Sequence, residues 1–212
     1  MKSFPIFIVS LLFSSLLIYT ADAAAQAIDP QKSARAAAAS DAQFIANGIA
    51  YNEGIMFLSQ KALDRAADTR VRELAQQMLN DHTAMLYSME QLATAGTGAS
   101  KKEDNASGNH QQAADANSRL SRVSGADFDS AWIDNLLTIC QPRHDELVAA
   151  KETVTNPRLK MAVTEAIPMV RKHLSQLRSI QKYLAKLALQ KRKEEAMQKK
   201  QEALQKKQNG GR

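Results

Sequence analysis

The sequence predicts an all-α protein: an antiparallel four-helix bundle over residues 41–188, with a long loop between its second and third helices and a basic C-terminal tail. Apolar residues recur every three or four positions in four separate segments, which is the spacing of one face of an α-helix. The alternation that is typical of strands is absent after the N-terminal segment. Four helices in two hairpins, joined by a long link, favour an antiparallel bundle.

The N-terminal 27 residues predict a secretory signal peptide. A basic residue precedes a largely apolar stretch at residues 4–19, and the small residues that follow offer cleavage sites between Ala23 and Ala27. A membrane anchor is the alternative, but a spanning helix needs roughly 20 apolar residues and this stretch is shorter. We therefore expect export to the periplasm or the outer envelope, with no transmembrane span in the mature chain.

An alanine-rich segment, residues 28–40, leads into the first half of the predicted bundle. The first helix is expected over residues 41–64, after a capping residue, and the second over residues 69–95, which is the clearest amphipathic segment of the chain. Residues 96–121 are rich in Gly, Ser, Asn, Lys and Gln and contain almost no apolar residues. This composition predicts a long mobile connection between the two halves.

The second half of the bundle is predicted to consist of helices at residues 125–152 and 157–188. The last helix has a strong start signal, because Asn156 can cap it and a proline occupies its first position. Each helix also contains an internal proline, Pro142 or Pro168, which removes a backbone donor and is expected to bend the helix.

The net charge of +6 is concentrated in the tail, residues 189–212. From residue 190 onward the chain has eight Lys or Arg and three Glu, which leaves a net charge of +1 for the rest of the mature chain. The tail either extends the last helix into solvent or frays. Its charge suits anionic lipids, lipopolysaccharide or other envelope polyanions. Nucleic acid is a poor candidate partner, because the tail has no aromatic residues for base stacking and the chain is expected outside the cytosol.

Five side chains with metal-binding chemistry fall on or near the inner faces of the predicted helices: Glu53, His82, Cys140, His144 and His173. If the helices bring them to one level, these donors suit zinc, copper or iron. The alternative, which we favour, is structural. His82 would then bond Glu53 or Asp129, and Cys140 would be a small buried hydrophobe.

No complete catalytic motif is present in the sequence. A carboxylate-bridged di-iron site needs Glu-x-x-His on two helices, but Met56 stands three residues after Glu53 and Gln141 three residues before His144. Gly-rich phosphate loops, nucleophile elbows and zinc-protease motifs are also absent. As the only cysteine, Cys140 cannot form an intramolecular disulfide, and we expect oxidation or dimerisation of its thiol rather than nucleophilic catalysis.

Four ordered segments resemble a known family: Phe44-Ile45 with Asn52-Glu53-Gly54, residues 74–83 (LAQQMLNDHT), residues 124–129 (SGADFD) and residues 167–174 (IPMVRKHL). From Phe44 to about Lys182 the chain resembles the bacterial domain-of-unknown-function family 4142, a ferritin-like four-helix group often labelled "predicted outer membrane protein". The resemblance implies export and a ferritin-like bundle, and no established activity. Where the family pattern has a histidine before Gln in the third helix, this chain has Cys140.

Three functions are compatible with these observations. The first is a non-enzymatic structural, stress-related or interaction role in the envelope, which we favour. The second is a metal-binding or redox bundle that uses the inner His, Cys and Glu side chains. The third is an envelope-polyanion binder that acts through the tail. The sequence identifies no specific ligand or partner, and self-association is one of the interactions compatible with it.

Overall fold

The computed structural model describes residues 30–95 and 107–209, and 93% of these residues are helical. This part of the chain contains no strand and five helices: α1 (Pro30–Arg65), α2 (Thr69–Thr94), α3 (Ser107–Leu120), α4 (Gly125–Thr153) and α5 (Pro157–Asn209). The predicted all-α class is therefore confirmed, and α3 is present in addition to the four helices that were predicted. The predicted signal peptide lies outside the described residues.

The four longer helices form two hairpins. Residues 66–68 are the only link between α1 and α2, and residues 154–156 join α4 to α5, so the helices of each pair run antiparallel. α2 also packs against α5, which brings the hairpins together, and α3 contacts α1 and α4. The apolar faces meet in one core, whose largest fully buried side chains include Ile45, Ile55, Leu58, Met78, Phe128, Trp132, Ile133, Leu136 and Leu159.

Two helices are longer than predicted. α1 begins at Pro30, so most of the alanine-rich segment is helical, which agrees with the high helix propensity of alanine and the tolerance of proline in a first turn. α5 continues through the basic tail to Asn209, although Leu184 is its last buried residue. The two internal prolines lie within α4 and α5.

Helix α3 corrects the second half of the prediction that residues 96–121 form a mobile connection, whereas residues 96–106 lie outside the described residues. It needs little apolar surface because it approaches α1 closely at Gly54, where an added Cβ would lie 3.1 Å from the Cβ of Ala113. The side-chain amide of Asn109 also donates to the backbone carbonyl of Asn47 at 3.0 Å. The buried stripe of α3 consists of Ala113, Ala116 and Leu120, two small residues and one leucine, which is a weak apolar signal in the sequence.

Two buried aspartates connect the hairpins, one at each end of the helices. The carboxylate of Asp129, near the start of α4, accepts backbone N–H bonds from residues 67 and 68 at 3.0 and 2.8 Å. Asp41 of α1 accepts the corresponding bonds from residues 155 and 156 at 3.2 and 2.8 Å. Asp129 lies 88 positions after Asp41, and the turn residues 155 and 156 lie 88 positions after residues 67 and 68. Each hairpin therefore supplies the carboxylate that caps the other hairpin's turn.

Replacing either carboxylate by the isosteric amide should destabilise the fold. In Asp41→Asn or Asp129→Asn, one acceptor oxygen becomes an NH₂ group that faces backbone donors, and the negative charge is lost. We expect a loss of about 1–3 kcal/mol in the free energy of unfolding for each variant, measured by urea denaturation. Asp115→Asn, on the exposed surface of α3, is the control. Losses no larger than that of the control would contradict the capping role.

Candidate functional site

Two of the five predicted ligands, His82 of α2 and His173 of α5, lie together in the core. Both side chains are fully buried, and their ring centroids are 5.3 Å apart. Nδ1 of His82 lies 2.7 Å from Oδ1 of Asn52, and Nε2 of His173 lies 2.8 Å from Oδ2 of Asp81. Because both oxygens accept, these ring nitrogens carry the protons. The other nitrogen of each ring is buried and has no hydrogen-bond partner in the described part of the chain.

Both imidazoles are neutral at neutral pH. Burial lowers the pKa of His82 to about 3, and repulsion from His173 and Arg143 adds to this effect. Burial also lowers the pKa of His173, although its hydrogen bond to Asp81 acts in the opposite direction. The pair therefore presents two uncharged nitrogens, each with a free lone pair, in a water-poor environment.

Cys140 is buried close to this pair, and its sulfur accepts a hydrogen bond from a tyrosine. The hydroxyl of Tyr51 donates to Sγ of Cys140 at 3.4 Å, and the ring of Tyr51 packs edge-on against that of His82 with centroids 5.6 Å apart. Burial raises the pKa of the Cys140 thiol to about 11. A buried, protonated thiol is poorly placed for the oxidation or dimerisation that the sequence suggested.

The remaining two predicted ligands point elsewhere. Glu53 lies at the surface, where it pairs with His110 of α3 at 3.1 Å rather than with His82. His144 lies 3.1 Å from its neighbour Asp145. The structure therefore does not bring the five predicted ligands together. Across residues 30–95 and 107–209, no group of three or more His, Cys, Asp or Glu side chains is placed to hold one metal ion.

A small cavity lies beside His82. Its volume is about 10 Å³, close to the minimum for a single water molecule. Three thioether side chains line it with His82: Met85 and Met89 from α2 and Met169 from α5. His82, Met85 and Met89 follow one another at spacings of three and four residues, so they share one face of α2. That spacing is visible in the sequence, but it does not distinguish a site from a core stripe.

Arg143, which sequence analysis did not single out, also lines this cavity. Only 5% of its surface is exposed, and it donates to the carboxylate of Glu146 at 2.7 Å. Its guanidinium lies over the rings of Phe44 and Tyr51, at 4.7 and 5.2 Å from their centroids. The cavity wall therefore carries a positive charge.

The outer half of α5 is exposed at every position from residue 185 to residue 207. This segment has eight basic and three acidic residues, and seven of the basic ones recur at a seven-residue spacing that the composition alone does not reveal. At about 3.6 residues per turn they form two neighbouring lines on one half of the helix. These lines are Lys186, Lys193, Lys200 and Lys207, and Arg192, Lys199 and Lys206. Leu189 lies between them, and all three Glu lie on the opposite half. We call this half the basic face of α5.

The fold and the buried cluster define an all-α protein with a polar network at its centre and a charged helical extension. The chain belongs to the family described as domain of unknown function DUF4142, which matches residues 26–180. This match confirms the resemblance found in the sequence, and it leaves the basic face of α5 outside the matched region. No curated protein and no solved structure matches the chain.

None of the helices in the described part of the chain is long and apolar enough to cross a membrane.

The histidine pair predicts a specific dependence of stability on pH. His82 has a pKa of about 3 in the folded protein and an ordinary value of 6.5, so the unfolded chain takes up a proton first as the pH falls. The free energy of unfolding should therefore decrease below pH 6.5 and keep decreasing to about pH 3, with His82 contributing up to about 1.4 kcal/mol per pH unit.

Urea titrations between pH 7 and 4 would measure this slope. In His82→Gln, the number of protons taken up on unfolding should fall by up to about one, so the slope should be shallower. His110→Gln, which removes an exposed histidine, is the control for the substitution itself. Equal slopes for the wild type and His82→Gln would contradict a neutral buried His82.

Proposed function

We propose that the mature protein is exported and acts in the cell envelope as a non-enzymatic interaction protein, which attaches to anionic membrane surfaces through the basic face of α5. The observation that carries the proposal is the segregation of seven basic residues onto one half of an exposed helix. The export part rests on the N-terminal sequence pattern. In a cell envelope, anionic lipid headgroups offer such a helix a negatively charged surface.

The geometry of the basic face suits a flat, negatively charged surface. From Leu184 to Asn209 the helix extends by roughly 37 Å, at about 1.5 Å per residue. Each Lys or Arg near an anionic membrane contributes about 1 kcal/mol of attraction. These long side chains can also bury their methylene groups while the charged ends stay among the headgroups.

Apolar residues within the basic face favour a lipid surface over a soluble polyanion. Leu189, Met197 and Leu204 are 54%, 64% and 53% exposed, and they lie between or beside the basic lines. An interfacial helix buries such residues at the boundary between headgroups and acyl chains. A purely ionic partner would leave them in water.

Three bonds between helices give inner polar side chains of the body a structural role, which agrees with a non-enzymatic function. Asn52, Asp81 and Tyr51 each bond a His or Cys side chain of a different helix. A ferritin-like bundle of α1, α2, α4 and α5, with α3 added against α1, is part of the proposal. The two capped hairpins and the contact of α2 with α5 support it.

Charge variants of the full-length mature chain test the proposal. Lys186, Lys193, Lys200 and Lys207 would be changed to Gln together, which removes one line of the basic face. The control variant changes four exposed basic residues of the body to Gln: Lys160, Arg171, Lys172 and Lys182. Both variants lose the same charge. Binding would be measured by co-sedimentation with phosphatidylcholine vesicles that contain phosphatidylglycerol.

We expect the wild type and the control variant to bind these vesicles and not to bind vesicles of phosphatidylcholine alone. Their binding should weaken as the salt concentration increases. The line variant should bind about a thousandfold more weakly at low ionic strength, since it loses four charges at roughly 1 kcal/mol each. Equal losses in both variants would show that net charge alone acts, and undiminished binding by the line variant would refute the proposal.

A further inference from the structure

We propose that the cavity between α2 and α5 is a binding site for one soft monovalent cation of the Cu(I) type, ligated by Nε2 of His82 and by the thioethers of Met85, Met89 and Met169. Two independent features point to this site. One is a fully buried imidazole nitrogen with no hydrogen-bond partner in the described chain. The other is that three methionine side chains line the same cavity as that imidazole.

The imidazole is prepared as a ligand by its neighbour on α1. Nδ1 of His82 donates to Oδ1 of Asn52 at 2.7 Å, and the amide of Asn52 is held in turn by its Nδ2, which donates to the carbonyl of Gly48 at 2.7 Å. This chain of bonds fixes the tautomer that leaves the Nε2 lone pair free. Second-shell bonds of this kind orient a metal-binding histidine and raise its basicity.

The sulfur donors decide the kind of cation. Thioethers are soft ligands that prefer Cu(I) over hard cations such as Mg²⁺ or Ca²⁺. Met85 and Met89 share the face of α2 that carries His82, and Met169 lines the same cavity from α5. The four side chains therefore reach the cavity from two helices.

The charge of the cavity wall selects a monovalent ion. Arg143 lines the same cavity, and its charge is only partly balanced by Glu146, which is 46% exposed in its side chain. The Coulomb repulsion of a divalent ion by this guanidinium is twice that of a monovalent ion at the same distance. His82, the only ring ligand, contributes no negative charge that would offset the repulsion.

A cation can reach the site without unfolding of the core. Met85 and Met169 are only partly buried, whereas Met89 and His82 are buried. Unbranched methionine side chains change rotamer readily. The two outer methionines therefore provide a path along which a soft cation passes from one thioether to the next.

Titration of the tag-free mature protein with Ag(I), a redox-inert probe of the same class, tests the site. The methyl resonances of the methionines would be followed by NMR, and affinity would be measured by competition with a chelator. We expect one equivalent to shift the methyl signals of Met85, Met89 and Met169. His82→Gln, and Met85→Leu combined with Met89→Leu, should each weaken binding about tenfold or more. Zn(II) should not compete.

Two matched controls keep the test specific. Met78→Leu removes another buried methionine of α2 that does not line the cavity, and it should leave the affinity unchanged. Cys140→Ser removes the only thiol while retaining an acceptor for Tyr51, and it too should preserve binding. Circular dichroism and thermal unfolding would establish that each variant is folded before titration.

Several outcomes would overturn the proposal. These are loss of binding in Cys140→Ser, which would assign the ion to the thiol; equal weakening by Met78→Leu; and binding of Zn(II) with the same affinity. Absence of binding by the folded wild type, or an experimental structure that shows one water in the cavity after soaking with Ag(I), would do the same.

Discussion

The reciprocal capping of the two hairpins is the constraint on which the rest of the structure depends. Asp41 and Asp129 each hold two backbone N–H groups of the opposite hairpin, at opposite ends of the helices. Those donors belong to turns that begin α2 and α5, where helix termini lack internal partners and favour negative charge. With both turns fixed, the register of α2 against α5 is fixed too. The separation of 5.3 Å between the rings of His82 and His173 follows from that register.

The polar groups between the helices give the core a unique arrangement. Each bond joins different helices: Asn52 to His82 links α1 to α2, Asp81 to His173 links α2 to α5, and Tyr51 to Cys140 links α1 to α4. Buried polar groups that lose their partners are costly, so a slipped helix would be penalised at several points. The network leaves one nitrogen of each imidazole free, and the proposed cation site uses Nε2 of His82.

The sequence predicted what apolar periodicity and helix capping can encode. α2 and α4 begin where predicted and end within a residue of the predicted ends, and His82 and His173 lie in the core as their spacing indicated. Other features depend on tertiary contacts that no single segment encodes. α3 is held by the close approach at Gly54, Glu53 turns outward to His110, and Arg143 is buried through its stacking on aromatic rings. The basic face was missed because the charges of the tail were counted without regard to the seven-residue spacing of its basic residues.

The central claim is that the two carboxylate caps make the hairpins one cooperative unit. Native-state hydrogen exchange, followed by NMR at the backbone amides of residues 67, 68, 155 and 156, tests it most directly. Because these amides donate to buried carboxylates of the opposite hairpin, they should exchange only through global unfolding, with the same opening free energy as amides in the middle of α2. Exchange at either turn with a much lower opening free energy would show that the hairpins separate locally, and would contradict the account.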